Sequence, residues 1–519
     1  MTLFDTTLRD GEQSEGISFT VADKLKIAQL LDEAGIHYIE GGWPGSNPKA
    51  VDFFKQAQKL KLRHARLVAF GSTCRAHLSP AKDPNTQALL KVATPVVCIF
   101  GKSWDFHVTH ALKVSLPKNL EMIENSIAYL KKRAEEVIFD AEHFFDGYKG
   151  NPSYAIEVLR AAERGGADIL TLCDTNGGTL PTEIEQIVRL VREQFKSTLG
   201  IHTHNDAESG VANSLMAVQA GCRHVQGTIN GIGERCGNAN LVSIIPALKL
   251  KMGFSKVVSD KQLKNLRHLA FHIAEIANLV VTDRTPYVGR SAFAHKGGIH
   301  VSAILKHPRT YEHIEPTHVG NTRRVIISEQ SGMSNLVVKA QEFGLPLDKA
   351  DPRSQMLLET VKDLEHQGYQ YEGAEASFEL LMHRHLHGKK RPFQVLGFRI
   401  INEQHREDEK LGIEATLRVK VGDQLIHTAA DGKGPVDALS RALNKSLLAY
   451  FPQIASMRLV DYKVRVLNTR EATAAKVRVL IESADDERAW ITIGVSENVI
   501  EASWLALVDA VEYKLLKSK

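Results

Sequence analysis

The sequence predicts an α/β protein in which a (β/α)8 barrel, also called a TIM barrel, is followed by helical linking subdomains and a C-terminal α+β domain. Short β-branched runs alternate with longer amphipathic runs about eight times over the first ~250 residues, as such a barrel requires. Polar side chains recur where these short runs end. A doubly wound parallel sheet is the main alternative, because it also alternates strands with helices.

The eight predicted strands are short runs rich in β-branched and aromatic residues. Their sequences are LFDTTL (3–8), HYIEGG (37–42), RLVAFG (66–71), VVCIFG (96–101), VIFDAEHF (137–144), DILTLCD (168–174), LGIHTHN (199–205) and HVQGTING (224–231). A helical pattern follows each of them, with apolar residues three or four positions apart, as in VADKLKIAQLLDEAG and PTEIEQIVRLVREQF. We therefore predict a barrel domain over residues 1–255.

Two further domains are predicted after the barrel, because the alternation stops at about residue 251. Residues 256–390 contain helical patterns and a loop-rich stretch, which indicates helical linking subdomains. Residues 391–519 mix strands with two helices and are predicted to form an α+β domain. The charged segment HGKKRP (387–392) ends in proline and is typical of a linker between them.

The composition excludes several classes of protein. The 519 residues are 43% hydrophobic and 24% charged, with a formal charge of +4 and no long run of Lys or Arg, so we expect no nucleic-acid partner. No apolar run reaches the ~18 residues of a membrane helix and no signal-peptide pattern is found, so we expect neither anchoring nor export. The five scattered cysteines lack CxxC spacing, which predicts a reducing, cytoplasmic location.

Polar residues end six of the predicted strands. They are Arg9 and Asp10, Glu40, Glu142, the run Asp174-Thr175-Asn176, the run from His202 through His204 to Asn205 and Asp206, and Asn230. Because the C-terminal ends of barrel strands converge on one mouth, these side chains are predicted to share a site.

Within this set, His202 and His204 indicate a metal. Residues two apart on a strand face the same side, as two ligands of one ion must. Asp10 offers a carboxylate, and Asn238, in GIGERCGNANL, offers an amide oxygen. This mixture suits Mn²⁺, Zn²⁺ or Mg²⁺ acting as a Lewis acid and leaves coordination positions open for a substrate. The alternative is a pair of structural histidines.

Arg9 beside such a site suggests chemistry at a carbonyl group. An α-keto acid that chelates the metal has a polarised carbonyl, and a guanidinium stabilises the alkoxide that forms when a carbanion attacks it. The glycines of GIGERCGN lack the spacing of a dinucleotide loop. A nucleophilic Cys236 is not favoured, because no base is paired with it.

Four motifs together resemble the 2-isopropylmalate synthase, homocitrate synthase and citramalate synthase family of metal-dependent Claisen condensing enzymes. They are DTTLRDGEQ (5–13), HTHND (202–206), GIGERCGNANL (231–241) and HKGGIH (295–300), and the resemblance covers essentially the whole chain. Residues 15–49 are more similar to the citramalate synthases than to the leucine-pathway enzymes. The resemblance implies condensation of acetyl-CoA with pyruvate to (R)-citramalate and free CoA, on a route to isoleucine. The alternatives are a 2-isopropylmalate synthase acting on 2-oxoisovalerate and a non-catalytic amino-acid sensor.

The resemblance also assigns roles to individual residues. Arg9 would be the catalytic and substrate-binding arginine, Glu142 the active-site glutamate, and Thr175 a keto-acid-binding residue. His300 and Tyr311 would deprotonate acetyl-CoA at the mouth of the neighbouring subunit, which implies a homodimer. The metal ligands would be Asp10, His202, His204 and Asn238. Leucine-pathway enzymes usually continue GIH with Gln-Asp-Gly, whereas residues 301–303 of this chain are Val-Ser-Ala.

The resemblance gives the C-terminal domain a regulatory role. The implied effector is isoleucine, acting as an allosteric inhibitor of the condensation. A module that only holds the dimer together is the alternative.

Overall fold

The chain folds into two compact units in a computed structural model that describes residues 1–328, 330–388, 391–404, 411–467 and 475–518. The first unit comprises Met1–Phe293 and Ile314–Arg323. The second comprises Ala294–His313 and Arg324–Lys519. The predicted boundaries at 255/256 and 390/391 stay predictions, and Lys389 and Lys390 of the predicted linker lie outside the described residues.

Eight parallel strands of the first unit close into a barrel in chain order, which confirms the predicted (β/α)8 architecture. The strands are β1 (Thr2–Asp5), β2 (Tyr38–Gly42), β3 (Arg66–Ser72), β4 (Val96–Lys102), β5 (Glu136–Glu142), β6 (Ile169–Asp174), β7 (Thr198–Thr203) and β8 (His224–Gly227). Strand β1 pairs with both β2 and β8, so the sheet has no edge strand and the doubly wound alternative is wrong.

Helices surround this barrel, and all of them except the short α4 bury apolar side chains against it. They are α1 (Val21–Glu33), α2 (Pro48–Ala57), α3 (Pro84–Lys91), α4 (Asp105–His107), α5 (Leu116–Lys131), α6 (Phe144–Gly150), α7 (Pro152–Gly165), α8 (Pro181–Gln194), α9 (Gly210–Ala220), α10 (Leu241–Leu250), α11 (Asp260–Lys264) and α12 (Leu266–Ile276). Helix α1 begins at a capping box, in which Thr20 and Asp23 satisfy each other's backbone N–H groups. No helix in the described part of the chain is long and apolar enough to span a membrane.

Several barrel strands end earlier than the sequence predicts. The first predicted strand extends to residue 8, but β1 ends at Asp5 and the chain then turns. The carbonyl of Thr6 accepts hydrogen bonds from the N–H groups of Arg9, Asp10 and Gly11. This turn lifts Arg9 and Asp10 out of the ladder and places them at the rim of the barrel.

The second unit contains helices and two antiparallel sheets. Its elements are β9 (Ala294–His295), α13 (Gly298–Lys306), β10 (Arg324–Val325), α14 (Met333–Glu342), α15 (Pro352–His366), α16 (Glu375–His387), β11 (Gln394–Glu403), β12 (Gly412–Val421), β13 (Gln424–Asp431), α17 (Pro435–Leu447), β14 (Arg458–Val466), β15 (Val477–Ala484), β16 (Ala489–Ser496) and α18 (Val499–Lys517). Strands β11–β13 form one three-stranded sheet and β14–β16 the other, which confirms the predicted α+β pattern.

The helical part and the C-terminal part of the second unit share a hydrophobic core. Ile493 of β16 packs in one cluster with Phe378 and Met382 of α16. Arg384 of the same helix also pairs with Asp509 of α18, with 2.7 Å between Nη2 and Oδ1. The C-terminal domain is therefore joined to the preceding helices by buried apolar and ionic contacts.

Candidate active site

Three predicted metal ligands lie together at the C-terminal end of the barrel. Asp10 follows β1, while His202 and His204 lie at the end of β7 and just beyond it. The Nε2 atoms of the two histidines are 3.3 Å apart. Asp10 Oδ2 lies 3.5 Å from Nε2 of His202 and 3.9 Å from Nε2 of His204. All three side chains are buried, and their potential ligand atoms lie within 4.8 Å of one another.

The chemistry of this cluster fits a divalent cation. Burial, followed by the His204 imidazole, lowers the pKa of His202 to about 3, so the ring is neutral and offers a lone pair. Burial also opposes ionisation of Asp10, but its polar neighbours, Arg9 first among them, outweigh burial and lower the pKa of Asp10 to about 2. Among the described residues, no partner makes a hydrogen bond of normal geometry to Asp10 Oδ1, which is buried. A cation would satisfy this oxygen and the facing imidazole nitrogens together.

The backbone of Asn238 pairs with that of His204, which places Asn238 next to the cluster. It forms an isolated antiparallel bridge with His204, in the loop that follows β8. Its side chain is buried, and its amide oxygen has no hydrogen-bond partner of normal geometry among the described residues. The Asn238 amide also interacts with the Asp10 carboxylate and lowers its pKa, so the side chain lies close to the cluster, and its role as the fourth ligand stays a prediction.

A second buried set of polar groups, Glu40, Cys98 and Asp140, already has a cationic neighbour. The Arg9 guanidinium pairs with Glu40 and interacts electrostatically with Asp140. Arg9 also pairs with Asp10, so the two sets differ in their donors rather than in their charged neighbour. Burial raises the pKa of the Cys98 thiol well above its usual value, so it offers no thiolate, whereas the other cluster offers two imidazole nitrogens. We therefore favour the Asp10, His202 and His204 cluster.

Arg9 is held in one orientation at the rim. Its Nε donates to Glu40 Oε2 at 2.7 Å and its Nη1 to Asp10 Oδ2 at 3.2 Å. The guanidinium carbon also lies 3.9 Å from the ring centroid of Phe70. Sequence reasoning placed Glu40 at a strand end but did not pair it with Arg9, because the pair joins different strands.

A cavity of about 230 Å³ opens beside the cluster and contains most of the predicted site. Its lining is Arg9, Asp10, Gln13, Trp43, Phe70, Phe100, Asp140, Glu142, Cys173, Thr175, His202, His204 and Glu234. Glu142 forms an ion pair with Lys102. The hydroxyl of Thr175 accepts a hydrogen bond from the His143 N–H at 2.9 Å. The structure therefore brings Arg9, Glu142 and Thr175 together with three of the four predicted metal ligands.

The apolar wall of this cavity is aromatic and was missed at the sequence level. Phe70 and Phe100 stack with centroids 5.6 Å apart, and Trp43 meets both rings edge-on. The available signal was their position near the C-terminal ends of strands: Trp43 directly follows β2, and Phe70 and Phe100 lie among the last three residues of β3 and β4. Two other aromatic residues beyond β4, Trp104 and Phe106, do not line the cavity.

Some polar strand ends organise loops instead of lining the cavity. Asp174 accepts from the Thr179 hydroxyl at 2.8 Å. Asn230 donates to the Ala270 carbonyl at 2.8 Å. The sequence pattern therefore predicts more residues at the shared site than the cavity contains.

His300 and Tyr311 belong to the second unit. His300 lies on α13, and its ring stacks on that of Tyr311 with centroids 4.1 Å apart. Both side chains are exposed. The structure thus brings this predicted pair together within its own unit.

Comparisons with known proteins agree with this architecture. Residues 1–273 match the HMGL-like family model, 287–368 the homocitrate synthase post-HMGL domain-like model, and 372–515 the LeuA allosteric (dimerisation) domain. An (R)-citramalate synthase of Geobacter sulfurreducens is 57% identical, covering 100% of this chain and 98% of the relative. One of Aquifex aeolicus is 55% identical with the same coverage of 100% and 98%.

The leucine-pathway alternative is more distant. A 2-isopropylmalate synthase of Listeria innocua is 29% identical, covering 98% of this chain and 96% of the relative. The first unit carries the candidate metal cluster and the second matches the allosteric domain. The chain therefore belongs to the HMGL-like family and, within it, to the (R)-citramalate synthases.

Proposed function

We propose that this chain condenses acetyl-CoA with pyruvate and hydrolyses the resulting thioester, which gives (R)-citramalate and free CoA at the first step of a pyruvate route to isoleucine. The observation that carries the proposal is the convergence of Asp10, His202 and His204 beside Arg9 at one barrel mouth. Membership of the (R)-citramalate synthases supports the choice of substrates. We place the enzyme in the cytoplasm, since its five cysteines are free thiols, as in a reducing compartment.

A divalent metal, Mn²⁺, Zn²⁺ or Mg²⁺, would be held by Asp10, His202, His204 and Asn238, where it supplies Lewis-acid polarisation of the keto group. In the condensation, the acetyl methyl carbon loses a proton and bonds to C2 of pyruvate, whose carbonyl oxygen becomes an alkoxide. Water then cleaves the thioester and releases CoA.

Arg9 would stabilise the developing alkoxide. Glu40 and the Phe70 ring hold its guanidinium in place before the substrate arrives, so little reorganisation is needed at the transition state. Thr175 would orient the pyruvate carboxylate, and Glu142 would exchange protons with the reacting oxygen.

His300 and Tyr311 would remove the methyl proton of acetyl-CoA. Their stacked and exposed side chains are accessible to a substrate held by another copy of the chain. We propose that they complete the active site of the partner in a homodimer, a state that the match to the LeuA allosteric (dimerisation) domain supports.

The aromatic wall predicts selectivity for pyruvate over 2-oxoisovalerate. Phe70, Phe100 and Trp43 form the apolar wall of this cavity, and we propose that their rings limit the space for a branched side chain next to the keto group. We expect free-CoA release to be faster with pyruvate when the two keto acids are assayed side by side. A preference for 2-oxoisovalerate would overturn the proposed substrate.

A variant pair makes this assay sharper. Phe100→Ala widens the cavity and should lower the selectivity for pyruvate by about tenfold, the order expected for one or two carbons in an apolar pocket. Phe106→Ala is the control, because Phe106 is 49% exposed and does not line the cavity. Equal selectivity in the two variants would show that Phe100 does not limit substrate size.

We also propose that isoleucine inhibits the enzyme through the C-terminal domain. In the full-length protein, isoleucine should reduce citramalate formation with a coupling free energy of ~1–3 kcal/mol, while leucine and valine act more weakly. If no branched-chain amino acid changes the rate of citramalate formation, the proposed regulatory role of this domain is wrong.

Truncation after Arg391 is a second arm of this test. We expect the truncated protein to condense its substrates without a response to isoleucine. Because Ile493 shares a core with Phe378 and Met382, truncation uncovers apolar surface, so folding is checked first by circular dichroism. A folded truncation that is inhibited as before would contradict regulation by this domain.

A further inference from the structure

A buried polar chain lies beneath His202 and has no role in the reaction proposed above. Gln226, fully buried on β8, lies between His202 and Asp140, which is 4% exposed on β5. The Gln226 amide oxygen is 2.9 Å from His202 Nδ1, and its Nε2 donates to Asp140 Oδ1 at 2.9 Å. The three side chains therefore form a continuous hydrogen-bonded chain from the barrel interior to the candidate metal cluster.

The neighbours of Gln226 determine which way its amide group faces. Nε2 has two oxygen acceptors, Asp140 Oδ1 and, at 3.3 Å, the hydroxyl oxygen of Thr171. Rotating the amide by 180° would direct its oxygen at the Asp140 carboxylate, which replaces a hydrogen bond with a contact between two acceptors. Asp140 thus keeps the Gln226 oxygen directed towards His202.

This orientation selects one tautomer of His202. An oxygen facing Nδ1 requires that Nδ1 carry the proton, which leaves Nε2 with a lone pair. Nε2 is the nitrogen that faces Asp10 and His204. In contrast, no residue in the described ranges makes a hydrogen bond to Nδ1 of His204.

We propose that Asp140 and Gln226 are positioning residues of the metal site, which hold His202 with its Nε2 unprotonated and directed at the ion. The inference rests on the metal site of the proposed function. Partners of this kind commonly contribute 10- to 100-fold to metal affinity. His202 would therefore be the pre-oriented imidazole ligand, and His204 would adjust to the ion.

The test compares metal binding with turnover in the full-length protein. Gln226→Met keeps the approximate size of the side chain and removes its hydrogen bonds. Asp140→Asn keeps the shape but allows either end of an amide to face Gln226, so the Gln226 oxygen is no longer fixed. Cys98→Ala is the matched control, because Cys98 contacts Asp140 in the same buried layer but has no part in the chain to His202. Binding of Mn²⁺ is measured by calorimetry, and folding by circular dichroism.

We expect Gln226→Met and Asp140→Asn to weaken Mn²⁺ binding by about 10- to 100-fold, while kcat recovers substantially at saturating Mn²⁺. The double variant should bind Mn²⁺ no more weakly than Gln226→Met alone, because the two residues act through one route. Cys98→Ala should bind as the parent protein does.

Two other outcomes distinguish a wrong positioning role from a wrong metal site. Folded Gln226→Met and Asp140→Asn variants with the parental Mn²⁺ affinity would overturn the inference and leave the metal site intact. A parent protein that binds no divalent metal at its active site would overturn the proposed function itself. If Gln226→Met does not fold, the Asp140→Asn affinity decides the matter in the same way.

Discussion

We expect Arg9→Lys to lower kcat by about 10²-fold or more, with a smaller change in the KM for pyruvate. Arginine uses Nε for Glu40 and Nη1 for Asp10 at the same time, over the face of Phe70. A lysine ammonium keeps the charge but lacks the planar set of donors, so it cannot keep these contacts and also meet a developing alkoxide. Steady-state kinetics with varied pyruvate separate the two constants.

Arg189→Lys is the control for this variant. Arg189 is an exposed residue of α8 that pairs with Glu185 one turn away, so its replacement should leave both constants unchanged. An Arg9→Lys enzyme with normal kcat and a raised KM would show that Arg9 binds the substrate without stabilising the transition state.

We expect His204→Ala to abolish measurable condensation and to weaken divalent-metal binding. The substitution removes one of two facing imidazoles, whose Nε2 atoms lie 3.3 Å apart, and the remaining ligands cannot hold an ion equally well. His204 lies at the barrel mouth, outside the apolar core, so circular dichroism should show a folded protein. Metal content by mass spectrometry and CoA release complete the measurement.

His64→Ala serves as the control, since His64 is exposed just before β3, at the opposite end of the barrel. It should retain both metal and activity. Full activity of His204→Ala in the presence of a chelator would be incompatible with a metal-dependent reaction at this cluster.

The barrel and the candidate metal cluster were predictable because both follow from local patterns. Strand and helix periods reveal the β/α alternation, and the i, i+2 spacing places His202 and His204 on one side of β7. The convergence of strand ends then adds Asp10, since a closed parallel barrel places every such end at one mouth.

The partners of these residues were not predictable in the same way. Arg9 contacts Glu40, and His202 contacts Gln226, because of the register in which the barrel strands pair. A single sequence does not reveal this strand register. The aromatic wall has the same origin, because Phe70 and Phe100 come together only when β3 pairs with β4.

The assignment of segments to units depends on long-range packing as well. Ala294–His313, which carries His300 and Tyr311, groups with the second unit although it follows the barrel directly. A short parallel pair between β9 and β10 joins it to residues about 30 positions further along. Neither strand exceeds two residues, so no periodic pattern marks the pairing in the sequence.

We propose that Asp10, His202 and His204 hold the divalent metal at which pyruvate reacts. The decisive experiment is anomalous diffraction from crystals soaked with Mn²⁺ and pyruvate, with data collected above and below the manganese absorption edge. We expect one strong anomalous peak in contact with Asp10 and with Nε2 of both histidines, and density for pyruvate between that peak and Arg9. An anomalous peak elsewhere, or an active Mn²⁺-loaded protein whose peak does not contact these three residues, would contradict it.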